Sequence, residues 1–281
     1  MDGQWNDWIG RAEACTDTIT AAPLARLAAT LDRDEAAPTT GDPLPPLAHW
    51  LYFLPAYRQS AVGPDGHATR GEFLPPIALP RRMWAGGRIR FETPLRVGDV
   101  AVRASEIVAI DEKEGRSGRL AFVVVRHTIS VGTGVALVEE HDIVYRAAPT
   151  PQAPAAEPPR APVDAAWTRE IDPDPVLLFR YSALTFNGHR IHYDRRYVTD
   201  VEGYPGLVVH GPLIATLLVD LLRHAMPDAA VAQFAFRAVS PLFDTASFFV
   251  RGQPMHDGRR VHLWAANVHG ALAMDAEATL S

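Results

Sequence analysis

Residues suited to proton chemistry are concentrated between positions 187 and 212 of the chain. Asn187, His189 and His192 lie within six residues, and His210 opens the run His-Gly-Pro-Leu. Imidazole has an ordinary pKa close to neutrality, so a histidine can accept and return a proton within one turnover. An amide cannot act as a base, but it can orient a water molecule or polarise a carbonyl. This combination is typical of proton transfer next to a carbonyl group.

The backbone that carries these side chains is expected to be irregular. The stretch from Phe179 to Phe186 fits either a strand or a helix, and Asn187-Gly188 then interrupts it, because both residue types tolerate positive φ. We therefore expect Asn187, His189 and His192 to lie on a turn, where their side chains converge on a pocket.

A helix is predicted to start directly after His210. Pro212 fits the first turn of a helix, where no amide hydrogen is needed, and the dense apolar residues that follow predict burial on most sides. The first amides of a helix carry the positive end of its dipole. A thioester carbonyl at the Gly211 amide would gain about 2.7–4 kcal/mol as it becomes enolate-like. The alternatives are that glycine and proline only shape the helix start and that His210 only packs there.

Composition excludes several classes of protein. A net charge of −6 argues against a general nucleic-acid binder. The single cysteine, Cys15, permits no disulfide and no cysteine zinc site within the chain, as is usual in a reducing cytoplasm. The longest uncharged apolar run, 207–219, is too short to span a bilayer, and the first residues do not resemble a secretory signal. We expect a cytoplasmic protein without nucleic-acid or membrane partners.

The chain contains two halves that resemble each other. Pro94-Leu95 in the first half and Pro241-Leu242 in the second are 147 residues apart, and each follows a predicted strand. Three stretches of period-two alternation follow in each half, which predicts antiparallel strands. These stretches are 100–109, 119–131 and 135–146, and then 245–251, 259–268 and 271–279. A repeat of this length indicates a duplicated domain.

Each half is predicted to place one helix against one curved sheet. The helix is strong after Pro212 and weaker at Pro46 to Tyr57, where Pro55 interrupts it. A sheet wrapped around a helix is the hotdog arrangement, so we predict an α+β double hotdog. The predicted division is an N-terminal domain at 1–147 that is degenerate and contributes to the substrate pocket, a proline-rich linker at 148–166, and a catalytic domain at 167–281.

Arginines flank the motif and recur in the first half. Guanidinium binds phosphate bidentately, and an acidic protein that binds a polyanion must concentrate positive charge locally. We predict that these residues bind the phosphates of coenzyme A or contact the substrate, with a histidine and a tryptophan beside them. The predicted residues are Arg190, Arg195, Arg196, Arg81, Arg82, His210 and Trp84.

A metal site is the rival interpretation of the histidines. His189, His192 and His210 could be ligands, with Asp194 as a fourth. The spacing H-x-x-H is not the i, i+4 spacing of a zincin helix, and no glutamate lies between the two histidines. We therefore predict no metal.

Taken together, the motifs resemble the MaoC-like enoyl-thioester hydratases and dehydratases of the hotdog superfamily. Their motif D-x-N-P-x-H corresponds to N-G-H-R-I-H here, from Asn187 to His192. The string from Ser182 to Asp194 resembles the subgroup of mesaconyl-C4-CoA and itaconyl-CoA hydratases and of mitochondrial-type 3-hydroxyacyl-thioester dehydratase. The first-half string 79–99 resembles the N-terminal domain of that subgroup. The resemblance implies reversible addition of water to a 2,3-unsaturated coenzyme A thioester, without a redox cofactor or metal.

One position departs from the family pattern. The family's aspartate and histidine together hold the water, whereas the aspartate position here is Asn187. Our hypothesis is that His192 is the acid/base, that Asn187 orients the water and that His189 assists. The Gly211 amide would polarise the thioester carbonyl.

The acyl group is the main open question. A C5 dicarboxylyl group needs a cation for its free carboxylate, for which we predict Arg180 or Arg190, whereas a long acyl chain needs an apolar tunnel between the halves. We expect the wall of either to contain Trp50, Tyr52, Phe53 and Trp84. We favour a C5 dicarboxylyl-CoA hydratase.

Several alternatives to this function stay open. They are a 3-hydroxyacyl-thioester dehydratase of fatty-acid metabolism, a non-catalytic acyl-CoA-binding subunit and, with less support, a hotdog thioesterase. Both a monomer and a homodimer are compatible with the sequence.

Overall fold

The computed structural model describes residues 5–115, 118–147 and 157–281. Helical segments precede three of the ten described strands, and the other seven follow another strand. The strands are β1 Ala12–Thr18, β2 Arg81–Phe91, β3 Val100–Gly115, β4 Gly118–Val131, β5 Gly134–Arg146, β6 Trp167–Ile171, β7 Val231–Ala238, β8 Phe248–Pro254, β9 Arg260–Asn267 and β10 Leu272–Leu280. The helices are α1 Ala21–Thr30, α2 Pro175–Leu184, α3 Arg195–Asp200 and α4 Gly211–Ala225.

All these strands form one antiparallel sheet with the order β1-β3-β4-β5-β2-β7-β10-β9-β8-β6. Each strand of the first half corresponds to the strand five later in the second half, so the predicted duplication is confirmed. The halves join where β2 pairs with β7, with Ile89 opposite Phe234. The predicted α+β class is also confirmed, although β1 and β6 at the two edges and helix α1 were not predicted.

The predicted linker is only partly covered by the structure. Residues 148–156 lie outside the described part of the chain. The remainder runs beside the second half, where the Ala161 amide donates to the Gly270 carbonyl and the Ala166 amide donates to Gly252, at 2.9 and 3.0 Å. The domain bounds at 147 and 167 stay a prediction.

The two halves differ in their central helix. In the second half, α4 begins with Gly211-Pro212 as predicted and is buried from Leu213 to Leu222, against strands β6, β8, β9 and β10. The corresponding helix predicted for Pro46 to Tyr57 is wrong, because only a short 3-10 helix forms there, at Ala48–Leu51. Leu47 and Phe53, with φ of 69° and 55°, leave helical geometry on either side. The concave face of the first half is therefore left without a long helix.

Among the described residues, no helix is both long enough and apolar enough to cross a membrane.

Candidate active site

A single large cavity connects the concave face of the first half with the turn after α2 in the second half. Its volume is about 1050 Å³. All four predicted aromatic side chains line it, namely Trp50, Tyr52, Phe53 and Trp84. From the second half, its wall includes Ser182, Asn187, Gly188, Arg190 and Pro212. The cavity occupies the region where the first half lacks a counterpart of α4.

The turn that carries the predicted motif begins where α2 ends. The segment from Phe179 is helical up to Leu184, and the left-handed residue is Phe186, with φ of 50°. The expectation that Asn187-Gly188 breaks the chain by positive φ is therefore wrong. Gly188 is needed for space instead, because a Cβ atom there would lie 2.9 Å from the Gly66 carbonyl oxygen.

Asn187 is fixed by backbone contacts. Its side-chain Oδ1 accepts from the His189 amide at 3.0 Å, and its own amide donates to the Ser182 carbonyl at 2.8 Å. Among the described residues, none accepts a hydrogen bond from its side-chain NH2 group. Asn187 thus presents a donor on the cavity wall, as the proposed orientation of water requires.

His192 lies on a 3-10 turn, Arg190–His192, and is 8% exposed. Its Nδ1–H donates to the Val208 carbonyl at 2.7 Å, so Nε2 carries the lone pair. Burial lowers the pKa of His192 to about 4, which outweighs the opposing effect of the Val208 hydrogen bond. The ring is therefore a neutral imidazole at pH 7, with the correct tautomer for accepting a proton through Nε2.

His210 stacks on His192, with ring centroids 3.7 Å apart. It is fully buried, its Nε2 forms a 2.8 Å hydrogen bond with the Ser182 hydroxyl, and its Nδ1 has no partner among the described residues. Burial, with smaller contributions from His192 and His189, holds the pKa of His210 well below its ordinary value. His210, like His192 and His189, is not among the residues on the cavity wall, so the contact of these histidines with substrate stays a prediction.

Gly211 is the first residue of α4, and a Cβ atom there would meet nothing within 4 Å. Its φ is not in the left-handed region, so glycine is not required by the fold at this position. The space above the helix start is open, and the next residue, Pro212, lies on the cavity wall. The first amides of α4 can therefore reach a ligand atom.

His189 contacts a loop of the first half that the sequence analysis missed. Its ring lies 3.9 Å, centroid to centroid, from that of His67 and 5.5 Å from that of His192. His67 lines the cavity, and its Nδ1 donates to Asp65 Oδ2 at 3.1 Å. The sequence Pro-Asp-Gly-His at 64–67 was the available signal, because a turn there places a carboxylate beside an imidazole.

Backbone contacts hold this loop against the turn after α2. The Arg190 amide donates to the Asp65 carbonyl at 2.9 Å, and the Arg190 side chain donates to the Pro64 carbonyl at 3.0 Å. Gly66 has a φ of 88°, and a Cβ atom on it would lie only 1.8 Å from the Gly188 carbonyl oxygen. The two halves therefore together form one group of side chains, Asp65, His67, His189 and His192, which we call the histidine cluster.

Burial is the main cause of the charge state in this cluster. Burial lowers the pKa of His189 to about 2, with further lowering by His67 and His192, and it also lowers the pKa of His67. The hydrogen bonds from His67 hold the pKa of Asp65 well below its usual range, against the opposing effect of burial. The result is an ionised carboxylate next to neutral imidazoles.

The possible metal ligands differ from the predicted set. Asp194 caps α3 and binds Arg190, and it does not join the histidines. Asp65, His67 and His189 instead offer ligand atoms within 4.8 Å of one another, a set that can hold a metal ion. Two of these groups, Asp65 and His67, already bind each other through a hydrogen bond. We therefore keep the prediction that the site holds no metal.

Most of the predicted phosphate-binding arginines have partners inside the chain. Arg81 pairs with Glu202 at 3.1 Å, Arg190 pairs with Asp194 at 2.7 Å, Arg195 with Asp244, and Arg196 with Asp200 at 3.6 Å. Arg82 lies on the cavity wall. Arg180 is exposed and is not among the wall residues, so the carboxylate role predicted for it has no support in this geometry.

A second polar group lies on the part of the cavity wall that the first half forms. The sequence analysis did not identify it either. Glu139 is buried and accepts from His49 Nε2 at 3.0 Å and Trp50 Nε1 at 2.8 Å, and His141 Nε2 lies 2.9 Å from its Oε1. The two histidines hold the pKa of Glu139 well below its ordinary value despite its burial. His127 lies against His141, with ring centroids 4.5 Å apart. This wall is too polar for a purely apolar acyl tunnel.

Comparison with known proteins assigns this chain to a family. Residues 47–244 match the model of the family described as hydroxyacyl-thioester dehydratase type 2. The chain is 51% identical over 278 residues to mesaconyl-C(4)-CoA hydratase of Chloroflexus aurantiacus, covering 98% of each chain. It is 28% identical over 260 residues to the mitochondrial hydroxyacyl-thioester dehydratase type 2 of Schizosaccharomyces pombe, covering 81% of this chain and 85% of that protein.

Solved structures agree on the fold. A Mycobacterium tuberculosis protein described as having a double hotdog fold matches with a TM-score of 0.59 and 15% identity, covering 97% of this chain and 96% of that one. The predicted double hotdog is therefore confirmed.

Proposed function

The chain belongs to the hydroxyacyl-thioester dehydratase type 2 family, and from that membership we propose that it hydrates a C5 dicarboxylyl-CoA reversibly, converting mesaconyl-C4-CoA or itaconyl-CoA to citramalyl-CoA. Its class is therefore hydro-lyase. The substrate assignment rests on the 51% identity, over 98% of both chains, to a mesaconyl-C(4)-CoA hydratase. The polar wall around Glu139 also favours a short, polar acyl group over a long apolar one.

In the proposed reaction of mesaconyl-C4-CoA, water adds across the double bond next to the thioester. Asn187 holds the water through its free side-chain NH2 group, and Nε2 of His192 takes a proton as the water oxygen bonds to the β-carbon. The electron pair of the double bond moves towards the thioester carbonyl, whose oxygen accepts from the Gly211 amide. His192 then returns the proton to the α-carbon, which completes the addition of H and OH.

The Asp65–His67 pair compensates for the missing aspartate at position 187. A carboxylate that accepts from one ring nitrogen fixes the tautomer of the imidazole and supports positive charge on it. His67 provides an imidazole on the cavity wall, and His189 lies between it and His192. This arrangement restores a carboxylate to the site without placing it in the motif.

The family's description supports a second candidate, dehydration of 3-hydroxyacyl thioesters in fatty-acid metabolism. The two candidates are separated by following the loss of conjugated-thioester absorbance with mesaconyl-C4-CoA, crotonyl-CoA and longer enoyl-CoAs, and the gain of one water by mass spectrometry with itaconyl-CoA. We expect the highest kcat/KM with a C5 dicarboxylyl substrate. A preference for crotonyl-CoA or longer chains would refute that choice, and tight binding of every substrate without loss of absorbance would indicate a non-catalytic subunit.

A location in the cytoplasm, a homodimer and the absence of any cofactor besides the coenzyme A of the substrate stay parts of this proposal.

A further inference from the structure

Three arginines line the large cavity, and they differ in their partners. Arg190 is paired with Asp194 and with the Pro64 carbonyl. For Arg82 and Arg103, no carboxylate of the described residues lies within ion-pair distance. Arg103 also keeps a buried Nε without a hydrogen-bond partner in this part of the chain and lies over the Phe53 ring, 5.5 Å from its centroid. The cavity wall therefore carries two guanidinium groups without a counter-ion.

The one anionic group on this wall does not neutralise them. Glu139 is ionised, its oxygens already accept N–H bonds from His49 and Trp50, and His141 Nε2 lies 2.9 Å away. His127 adds no charge, because burial lowers its pKa to about 3. Two arginines without an ion-pair partner and one glutamate leave a net positive charge on the described wall. A bound anion would remove this imbalance.

Arg82 lines the large cavity and also a smaller adjoining cavity of about 130 Å³. Ala68, the residue after His67, and the carboxylates of Glu13 and Glu72 line the smaller cavity too, and neither carboxylate forms an ion pair with Arg82. After burial, its charge is among the causes that lower the pKa of both His67 and His189. Its neighbour Arg81 is directed elsewhere, to Glu202 and over the Tyr204 ring. Arg82 thus brings positive charge to the histidine cluster.

We propose that Arg82 binds the free carboxylate of the acyl group and thereby determines the specificity for a dicarboxylyl thioester. In mesaconyl-C4-CoA the free carboxylate is attached to the carbon that receives the water, so its binding group must lie beside the acid/base residues. The Gly211 amide at the thioester oxygen and Arg82 at the carboxylate then hold both ends of the C4 unit. This inference rests on the proposed function, and it replaces coenzyme A phosphate as the predicted ligand of Arg82.

The test compares two unreactive ligands that differ only at the far end of the acyl group. Succinyl-CoA ends in a carboxylate where butyryl-CoA ends in a methyl group. Their Kd values are measured by calorimetry for the wild type, Arg82→Gln and the matched control Arg103→Gln, which removes the other unpaired guanidinium. The kcat/KM for mesaconyl-C4-CoA is measured in parallel, and thermal unfolding reports the integrity of each variant.

We expect Arg82→Gln to weaken succinyl-CoA binding and to lower kcat/KM on the order of 100-fold, because the charge partner of the free carboxylate is removed. The Kd of butyryl-CoA should change by less than about two-fold, because its methyl group makes no charge pair with Arg82. Equal weakening of both ligands would overturn the proposal and indicate phosphate binding or a structural role. A carboxylate-selective loss in Arg103→Gln rather than Arg82→Gln would also overturn it.

These results separate this inference from the proposed function. A wild-type protein that does not hydrate mesaconyl-C4-CoA would contradict the proposed function, while the succinyl-CoA and butyryl-CoA comparison would still decide the role of Arg82. Wild-type hydration combined with equal losses for both ligands would contradict only the assignment of Arg82.

Discussion

The imidazoles of His67 and His189 lie 3.9 Å apart, centroid to centroid, although they come from opposite halves of the chain. Asp65 holds the first of these rings, and His192 lies edge-on to the second. A carboxylate and three imidazoles therefore form one continuous group across the junction. The second half carries the family motif, but the site is complete only when the first half is packed against it.

The Asp65–His67 pair should be needed for full turnover. We expect Asp65→Asn to lower kcat on the order of 10²-fold, the lower end of what general acid–base catalysis contributes, with a smaller effect on KM. Asn187→Asp restores the family's carboxylate at the motif, so the double variant Asp65→Asn/Asn187→Asp should recover part of the lost kcat. Steady-state kinetics of the three variants check this. A double variant no better than Asp65→Asn alone would show that Asp65 acts only through local structure.

His192 should be indispensable for the reaction. Replacement by alanine removes the predicted acid/base, and we expect a fall in kcat of about 10²–10⁴-fold. The matched control is His256→Ala, since His256 is an exposed loop histidine of the second half. Circular dichroism establishes that both variants are folded. Unchanged turnover in folded His192→Ala would remove this residue from the mechanism.

The buried histidines should make stability depend on pH. The pKa values of His192, His127 and His189 are lowered to about 4, 3 and 2, so these rings stay neutral in the folded protein while the unfolded chain takes up protons below its ordinary pKa of 6.5. The free energy of unfolding should thus fall as pH decreases from about 6.5 towards 4, by up to ~1.4 kcal/mol per pH unit for each histidine. Urea unfolding at pH 7.5, 6 and 5 measures this slope.

A variant at His127 measures the contribution of one of these histidines to the pH dependence of stability. His127→Asn should reduce the slope by about one proton, because one buried neutral ring is removed. Unfolding free energies that are the same at pH 7.5 and pH 5 in the wild type would contradict the buried, neutral state of the cluster.

Gly66 should be required for the junction of the two halves. An alanine Cβ at this position would lie 1.8 Å from the Gly188 carbonyl oxygen, and the backbone has a φ of 88°. Gly10 has a similar φ of 84° with nothing within 4 Å, so Gly10→Ala measures the backbone cost alone, about 1–2 kcal/mol. We expect Gly66→Ala to lose more stability than Gly10→Ala and also to lose activity. Equal effects of the two substitutions in chemical denaturation would contradict the close contact.

The sequence pattern predicted the repeated strands and helix α4 because these elements have strong local signals. Alternation identified the strands from β3 to β5, and Pro212 before a dense apolar run identified the start of α4. The edge strands β1 and β6 were missed because they are short and their exposed positions weaken the alternation. The helix at Pro46 to Tyr57 was wrong because an apolar run was taken as helical, whereas its residues line a cavity.

The histidine-bearing part of the site was predictable only where its residues are close in sequence. Asn187, His189 and His192 were found because they lie on one turn. Asp65 and His67 lie more than a hundred residues earlier, and the contact between Gly66 and Gly188 that brings them to the turn has no local signature. Glu139 was likewise placed on the cavity wall by strand register rather than by a motif, whereas Arg82 was predicted as a binding residue and lies on that wall.

The most direct test of this account is the reaction of mesaconyl-C4-CoA with the wild-type protein, followed by the loss of conjugated-thioester absorbance and by mass spectrometry of the product. We predict that absorbance falls, that a product heavier by one water forms, and that folded His192→Ala produces neither change. A wild-type protein that binds mesaconyl-C4-CoA tightly but leaves its absorbance and mass unchanged would contradict the account.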